Sequence, residues 1–453
     1  MKADLLIIGA GPGGYETALR AARQGKSVIL FNGGKLGGTC LNEGCIPTKC
    51  LCRNAEIVSL IKDGEKYGIN VEDFDLSIDY NKAIDRKNDV VENLRKGVET
   101  LLNQAKVTVV NSPAAFLTSK KVKAGDEEFE GDNIIIATGS RSKSLKIKGY
   151  DLECVMDSTD ILNLEYIPAS LTIIGGGVIG MEFASIFSQL GSKVTVIEFM
   201  KQILPPFDSD IAKRLKQSLG KRGINIITGA SAKEIRQNEF YEIEVTYEVK
   251  GKEEKVVSSD LLMAVGRTPY FDGLNLEGAG VNYNEKGIPV DDFMQTNVPG
   301  IYAIGDVNGR MMLAHVASAQ GERALNVING VKDDLRFDLI PSAVFTVPEC
   351  GMVGKTEEQC KEEKINIKIG TSFFRANGKA MAMAETEGLC KLIFNEDNGL
   401  LIGAHIMGVE AADLAQQCAD LMNRNTTLSE MKEIIFGNPT VSEVLISAAN
   451  SVK

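Results

Sequence analysis

A short apolar run that opens into a glycine fingerprint and then a helix occurs twice in this chain, and the repetition restricts the fold more than any other feature. The first copy is Asp4–Ile8, then Gly9-Ala10-Gly11-Pro12-Gly13-Gly14, with a helix predicted over Tyr15–Gln24. The second is Leu171–Ile174, then Gly175-Gly176-Gly177-Val178-Ile179-Gly180, with a helix carrying Glu182 to Leu190. Strand, GxGxxG and helix in that order make a turn tight enough for the backbone to approach a pyrophosphate, whose charge rests at a helix N-terminus. One fingerprint alone is as readily a plain turn. Two, each followed by another apolar strand (Ser27–Phe31 and Lys193–Ile197), predict an α/β chain with two Rossmann-like dinucleotide-binding domains.

The residues that close each copy differ. Glu198 ends the second copy's strand, where a carboxylate accepts hydrogen bonds from ribose hydroxyls, and no Arg stands there to meet a 2′-phosphate, so NAD is favoured over NADP. Asn32 holds the equivalent place in the first copy. An amide can also bond a ribose, but the usual acid is missing.

At 453 residues the chain has room for about three or four domains. Its 44% hydrophobic and 25% charged residues are those of an ordinary globular protein. A formal charge of -11, without runs of Lys and Arg, argues against nucleic acid and against anionic membrane surfaces as partners. Met1-Lys2 before Leu5–Ile8 imitates the start of a signal peptide, but the run stops at Gly9 without a cleavage pattern, and no transmembrane stretch is read. Nine cysteines, an odd number over a long chain, do not form a secreted disulfide framework and point to a reducing, cytoplasmic setting. Cys50, Cys52, Cys154, Cys350, Cys360, Cys390 and Cys418 are read as packing thiols. Cys40-Leu41-Asn42-Glu43-Gly44-Cys45, followed by Ile46-Pro47-Thr48-Lys49, is the exception. It follows the first glycine loop directly and is the pattern of a redox pair.

With these motifs stand Ala137-Thr138-Gly139-Ser140, Ala264-Val265-Gly266-Arg267-Thr268-Pro269 and Ile301-Tyr302-Ala303-Ile304-Gly305-Asp306. In this order they make the chain resemble the dihydrolipoamide dehydrogenases, within the glutathione-reductase-like flavoproteins, over nearly its whole length. The resemblance implies FAD on the first loop (Gly9, Gly11, Gly14, with Asn32) and NAD on the second (Gly175, Gly177, Gly180, with Glu198). Thr138 and Gly139 would lie where the chain leaves the FAD domain, Gly266 where it leaves the NAD domain, and Gly305-Asp306 would form a second FAD motif with Asp306 on the ribitol chain. The implied architecture is an FAD domain over 1–142, an NAD domain over 143–269, a segment completing the FAD domain over 270–338, and a C-terminal α+β dimerisation domain over 339–453. That last part shows apolar strands at Leu389–Phe394 and Leu400–Ile406 and helices from Glu410. Val91, Leu94, Val98 and Leu101 form a helical stripe, and Tyr241–Val249 alternates like an exposed strand.

For chemistry, the resemblance implies a Cys40–Cys45 redox disulfide, with Cys40 exchanging with substrate and Cys45 against the flavin. Lys49 would point at the flavin and pair with Glu182. Such enzymes carry a His-Pro-Thr-x-Ser-Glu segment whose His takes the substrate thiol's proton across the dimer. Here the segment reads Asn438-Pro439-Thr440-Val441-Ser442-Glu443, keeping the orienting acid and losing the base. An amide takes up no proton near neutral pH. The only histidines, His315 and His405, are read as structural, and no metal ligand set is read. The implied activity is NAD-linked oxidation of a dihydrolipoyl group. The implied partners are a second copy of the chain and the lipoyl domain of a 2-oxo-acid dehydrogenase complex or a glycine-cleavage lipoyl protein. The alternatives are an NADH-dependent reductase of another disulfide or small acceptor, and a flavoprotein that has lost dithiol turnover.

Overall fold

Strand register decides where the motifs end up. The computed structural model describes residues 1–69 and 76–453, and chain contacts divide it into two units. The first comprises Met1–Cys50, Asn81–Lys143 and Gly266–Leu335. The second comprises Leu51–Tyr80, Ser144–Val265 and Arg336–Lys453.

In the first unit, Thr108–Val110, Val28–Phe31, Lys2–Ile8 and Glu127–Ile136 lie side by side in parallel, and Ile301–Ala303 adds to the last of them. Ile8 stands level with Phe31 and Ile136, and Ile136 with Ala303. The chain therefore leaves these strands at one edge, which puts Gly9, Asn32, Ala137 and Ile304 side by side. Ligands of parallel α/β sheets gather at this carboxyl edge. Leu5, Leu6, Ile7 and Leu30 are fully buried, as strands covered on both faces require. Each such side chain contributes about 1.5–3 kcal/mol of burial. Phe31 packs edge-on against Phe129 at 5.1 Å.

The second unit repeats the plan with Asn225–Thr228, Lys193–Glu198, Ser170–Ile174, Asp260–Met263 and Val155–Met156, all parallel. Ile174 is level with Ile197 and Met263, so Gly175, Glu198 and Ala264 share an edge. A five-stranded antiparallel sheet follows in the order Ser342–Val344, Cys350–Gly354, Leu401–Met407, Leu389–Asn395 and Ile367–Phe373, with helices Ala411–Asn423 and Glu443–Asn450. Phe374, Leu392, Phe394, Ile406, Leu414 and Leu445 share its core.

Three readings of the sequence need adjustment. The strand expected from Tyr241 begins at Ile243, because Tyr241 sits at φ +61° in a turn whose Asn238 Oδ1 accepts from Phe240 N and Glu242 N. That strand is central in its sheet, with Val245 and Tyr247 buried, rather than exposed. The stripe lies on the helix Tyr80–Gln104, yet Leu94 and Leu101 are each 44% exposed while Val98 and Leu102 are buried. Cys154 is only partly covered, whereas the other six packing thiols are buried.

Candidate functional site

The two glycine loops are near copies in geometry. Gly9 and Gly175 both adopt φ +113°, and a Cβ on either would meet a backbone oxygen at 2.3 Å, that of Ala137 or Ala264. Gly11 and Gly177 cap the helices Pro12–Arg23 and Val178–Leu190 in extended conformation, with no side chain bonded to the helix amides. At Gly14 and Gly180 a Cβ would strike the oxygen of Gly9 or Gly175, at 1.8 and 2.0 Å. Helix, loop and strand thus touch through backbone. A Cβ on Gly177 would meet nothing within 4 Å, and one on Gly11 only Gly38. Each loop is a cradle with uncapped amides at a positive helix end, which fits a pyrophosphate.

Around the first loop, Asn32 is buried, donates to Asn111 Oδ1 at 3.0 Å and accepts from Gly34 N. Thr138 Oγ1 donates to Tyr270 O at 2.5 Å, and Gly139 O accepts from Tyr270 N. Gly305 N donates to Gln320 Oε1 at 2.7 Å. Asp306 accepts from Ser140 Oγ at 2.5 Å, and that hydroxyl accepts from Arg267 Nε at 2.7 Å. Burial raises the Asp306 carboxyl, against the Ser140 bond and the Arg267 charge. Asn111 and Gln320 went unnoticed in the sequence. Ser140 and Arg267 lie inside motifs that were read, with no role given to their side chains. Gly266, φ +103°, precedes Arg267 on the strand Arg267–Pro269, which pairs with Ser140–Ser142.

The cysteines are fixed to this loop by backbone. Gly37 N donates to Ala10 O at 2.9 Å, and a Cβ on Gly38 would lie 2.6 Å from Gly11 Cα. Cys40 lies on the short helix Gly38–Glu43, and Cys45 begins the helix Cys45–Lys62. Asn42 Nδ2 ties the segment by donating to Leu36 O and Gly38 O. Cys40 and Cys45 are not bridged to one another, and their thiols are joined by a side-chain hydrogen bond. That bond, then burial and the Cys45 charge, push the Cys40 thiol well above its ordinary range, while Lys49 pulls it down. Lys49 is one helical turn from Cys45, on the same face. Tyr15 joins the group: burial, then the charges of Glu16 and Cys40, push its phenol up to about 12.

In the second unit, Glu198 is buried, with Oε2 accepting from Gly176 N and Oε1 from Met200 N, both at 2.5 Å. Two amides fix the carboxylate at the sheet edge. Glu182, on the helix Val178–Leu190, is buried and accepts from Phe345 N at 3.0 Å. Asn438 Nδ2 donates to Glu443 Oε1 at 2.9 Å, and Thr440 N to Glu443 Oε2 at 3.0 Å. These bonds, Asn438's first, hold the Glu443 carboxyl below its ordinary value. Asn438 is exposed and precedes a cis proline, and nearby Ile435 is 96% exposed. His405 is fully buried, whereas His315 is exposed at the start of the helix Ala314–Ile328.

No helix among the described residues is long and apolar enough to cross a membrane. The pyridine nucleotide-disulphide oxidoreductase profile matches residues 3–321, and the dimerisation domain of that family matches residues 340–449. The chain is 39% identical to a dihydrolipoyl dehydrogenase of Bacillus subtilis, over 98% of this chain and 97% of the other. It is 38% identical to one of Chlamydia muridarum, over 98% and 96%. Among solved structures, the Cu(II) complex of the HOCl-induced flavoprotein disulfide reductase RclA from Escherichia coli matches over the full length of both chains, with TM-score 0.89 and 31% identity. FAD and NAD are the cofactors of this family, its dimerisation domain supports a homodimer, and the paired glycine cradles suit the two dinucleotides. The chain belongs to the pyridine nucleotide-disulphide oxidoreductases and is an FAD-dependent disulfide oxidoreductase.

Proposed function

We propose that this protein oxidises a protein-bound dihydrolipoyl group and delivers the electrons to NAD. The observation that carries the reading is the Cys40 and Cys45 thiol pair, hydrogen-bonded to one another at the foot of the first glycine loop. In the oxidised enzyme one substrate thiolate attacks Cys40 Sγ, the Cys40–Cys45 bond breaks, and Cys45 leaves as a thiolate. The second substrate thiol then attacks the mixed disulfide, so the substrate closes to a disulfide and Cys40 takes up a proton. Two electrons pass to the cysteine pair. Bound FAD and NAD supply the electron acceptance and the onward transfer that regenerate the disulfide. Lys49 offers positive charge beside the flavin. The first loop with Asn32, Thr138, Gly139, Gly305 and Asp306 holds FAD, and the second with Glu198 and Gly266 serves NAD. The substrate's carrier is the lipoyl domain of a 2-oxo-acid dehydrogenase complex or of glycine cleavage.

A second reading has its own observation. Asn438 donates its amide to Glu443, so neither group takes a thiol proton near neutral pH. This favours an NADH-dependent reductase whose acceptor needs no such base, another disulfide or a small acceptor, in keeping with the reductase named in the structural likeness. Steady-state rates with dihydrolipoamide and NAD, set against NADH oxidation by a flavin-specific dye, separate the two. Good rates on both support lipoyl oxidation, whereas the dye alone supports the second reading or a flavoprotein that has lost dithiol turnover.

A further inference from the structure

Lys391, on the strand Leu389–Asn395, is 2% exposed, yet its ammonium donates to three carboxylates: Asp208 at 3.0 Å, Asp210 at 2.9 Å and Glu357 at 2.6 Å. Burial alone would pull the ammonium down, but the bonds to Glu357 and Asp210 and the charge of Asp208 outweigh it and hold it above its ordinary value. His405, the cross-strand partner of Lys391, adds no rival charge. Its Nε2 lies 2.8 Å from Lys355 O, which can only accept, so Nε2 carries the proton, and burial keeps the ring neutral. A buried ion is tolerated only where its partners are fixed, so such a cluster specifies position.

The position it specifies is that of Asp208. This residue is fully buried, and its Oδ1 also caps the helix Ser209–Lys221 by accepting from Asp210 N. Its Oδ2 accepts from Glu357 N at 3.2 Å. Asp208 ends the segment 199–208, which follows Glu198. Midway, Leu204 is fully buried at φ +47°, a strained conformation for a residue with a Cβ, and its N donates to Gly176 O at 2.9 Å. Gly176 N in turn donates to Glu198 Oε2. Strain of this kind persists only where both ends of the segment are held. One end is the glycine loop with Glu198, and the other is Asp208 on Lys391.

We propose that Lys391 is a positioning residue for the pyridine nucleotide: through Asp208 it holds the segment 199–208, and with it Glu198 and the second glycine loop, in the geometry that receives the ribose. The inference rests on reading that loop and Glu198 as the NAD site. The test uses the FAD-loaded enzyme and four variants: Lys391→Met, Asp208→Asn, their combination, and Glu198→Ala. KM and kcat for NADH are measured with a dye acceptor, ADP-ribose affinity by calorimetry, and stability by thermal melting. Lys391→Met is expected to raise KM and weaken ADP-ribose at least tenfold, with kcat within threefold of wild type. In the combined variant no charge is left unpaired between these two residues and Asn can still cap the helix. Stability should then return toward wild type while KM stays raised. This variant also carries the test if Lys391→Met does not fold. A KM that recovers together with stability reduces Lys391 to a structural role and overturns the proposal. So does a Lys391→Met or combined variant with unchanged KM and ADP-ribose affinity while Glu198→Ala is impaired. If Glu198→Ala itself binds normally, the assignment of the nucleotide site fails, and the inference with it.

Discussion

Replacing Asn438 by His tests the account of the thiol half-reaction most directly. In the wild type, the Asn438 amide donates to Glu443 Oε1 at 2.9 Å, while Glu443 Oε2 is taken by Thr440 N. An imidazole N–H placed in the amide's position makes the same bond to Glu443 and leaves its second nitrogen free to accept a thiol proton. The neighbouring carboxylate raises the imidazole above the ordinary His value of about 6.5, so activity gained through the neutral ring rises with pH through that region. General-base assistance typically contributes about 10²- to 10⁴-fold. The expected gain is a discounted share of that range, about ten- to a thousandfold. Dihydrolipoamide turnover with NAD is compared with NADH oxidation by a dye, on matched protein, from pH 6 to 9. The first rate should rise and gain a titration, and the second should stay within twofold. Fast wild-type dithiol turnover with no gain in Asn438→His refutes the reasoning.

Three further outcomes follow from the geometry. Glu198→Ala should narrow the preference for NADH over NADPH, because it removes the fixed carboxylate that repels a 2′-phosphate; specificity constants that favour NADPH in the wild type contradict this. After dithiol reduction, alkylation and mass spectrometry should find the exposed Cys45 modified well before the buried Cys350, Cys390 and Cys418; equal labelling would remove the redox pair from the argument. Glu349 is held up at about 7, chiefly by burial and then by the charges of Glu410, Glu56 and Asp413, against a bond from Ala412 N. The fold therefore favours its protonated form, a stabilisation present below about pH 4.5 and lost as pH rises through about 7. Glu349→Gln should raise the melting temperature at pH 8 but not at pH 5, by at most about 3 kcal/mol in stability; equal shifts at both pH values exclude a titration effect.

What could be read from the sequence is what is local in the chain. Strand, glycine loop and helix are contiguous, so Gly9–Gly14 and Gly175–Gly180 announced both cradles, and the Cys40–Cys45 spacing lies within a few residues. Side-chain partners far apart in sequence gave no such sign. Lys391 meets Asp208 across 183 positions, and Arg267 meets Ser140 across 127. Lys391 sits in an apolar strand, where a lone Lys reads as an edge or surface residue. The late start of the Ile243 strand has a local cause that alternation conceals: Asn238 turns the chain by accepting two backbone amides, and Tyr241 is carried into the turn. Periodicity located the helix Tyr80–Gln104 but not its inner face, which Lys87 shares with Tyr80 and Ile84. A hydrophobic stripe cannot show that a long charged side chain has been covered.

The bare isoleucine beside the Asn438 segment carries a consequence for measurement. Ile435 lies in the region that matches the family's dimerisation domain and leaves nearly all its surface to water, only three positions before Asn438. Burying such a side chain against a second copy favours association, and the dimer population follows mass action. On the proposed lipoyl oxidation, the segment facing the thiol half-reaction and the surface for self-association share one stretch of backbone, and dilution becomes a chemical variable. Specific activity toward a dithiol should fall on dilution below the dimer dissociation constant, while the dye reaction, which needs one chain's flavin, holds. Substitutions in this stretch therefore call for titration of enzyme concentration as well as of substrate.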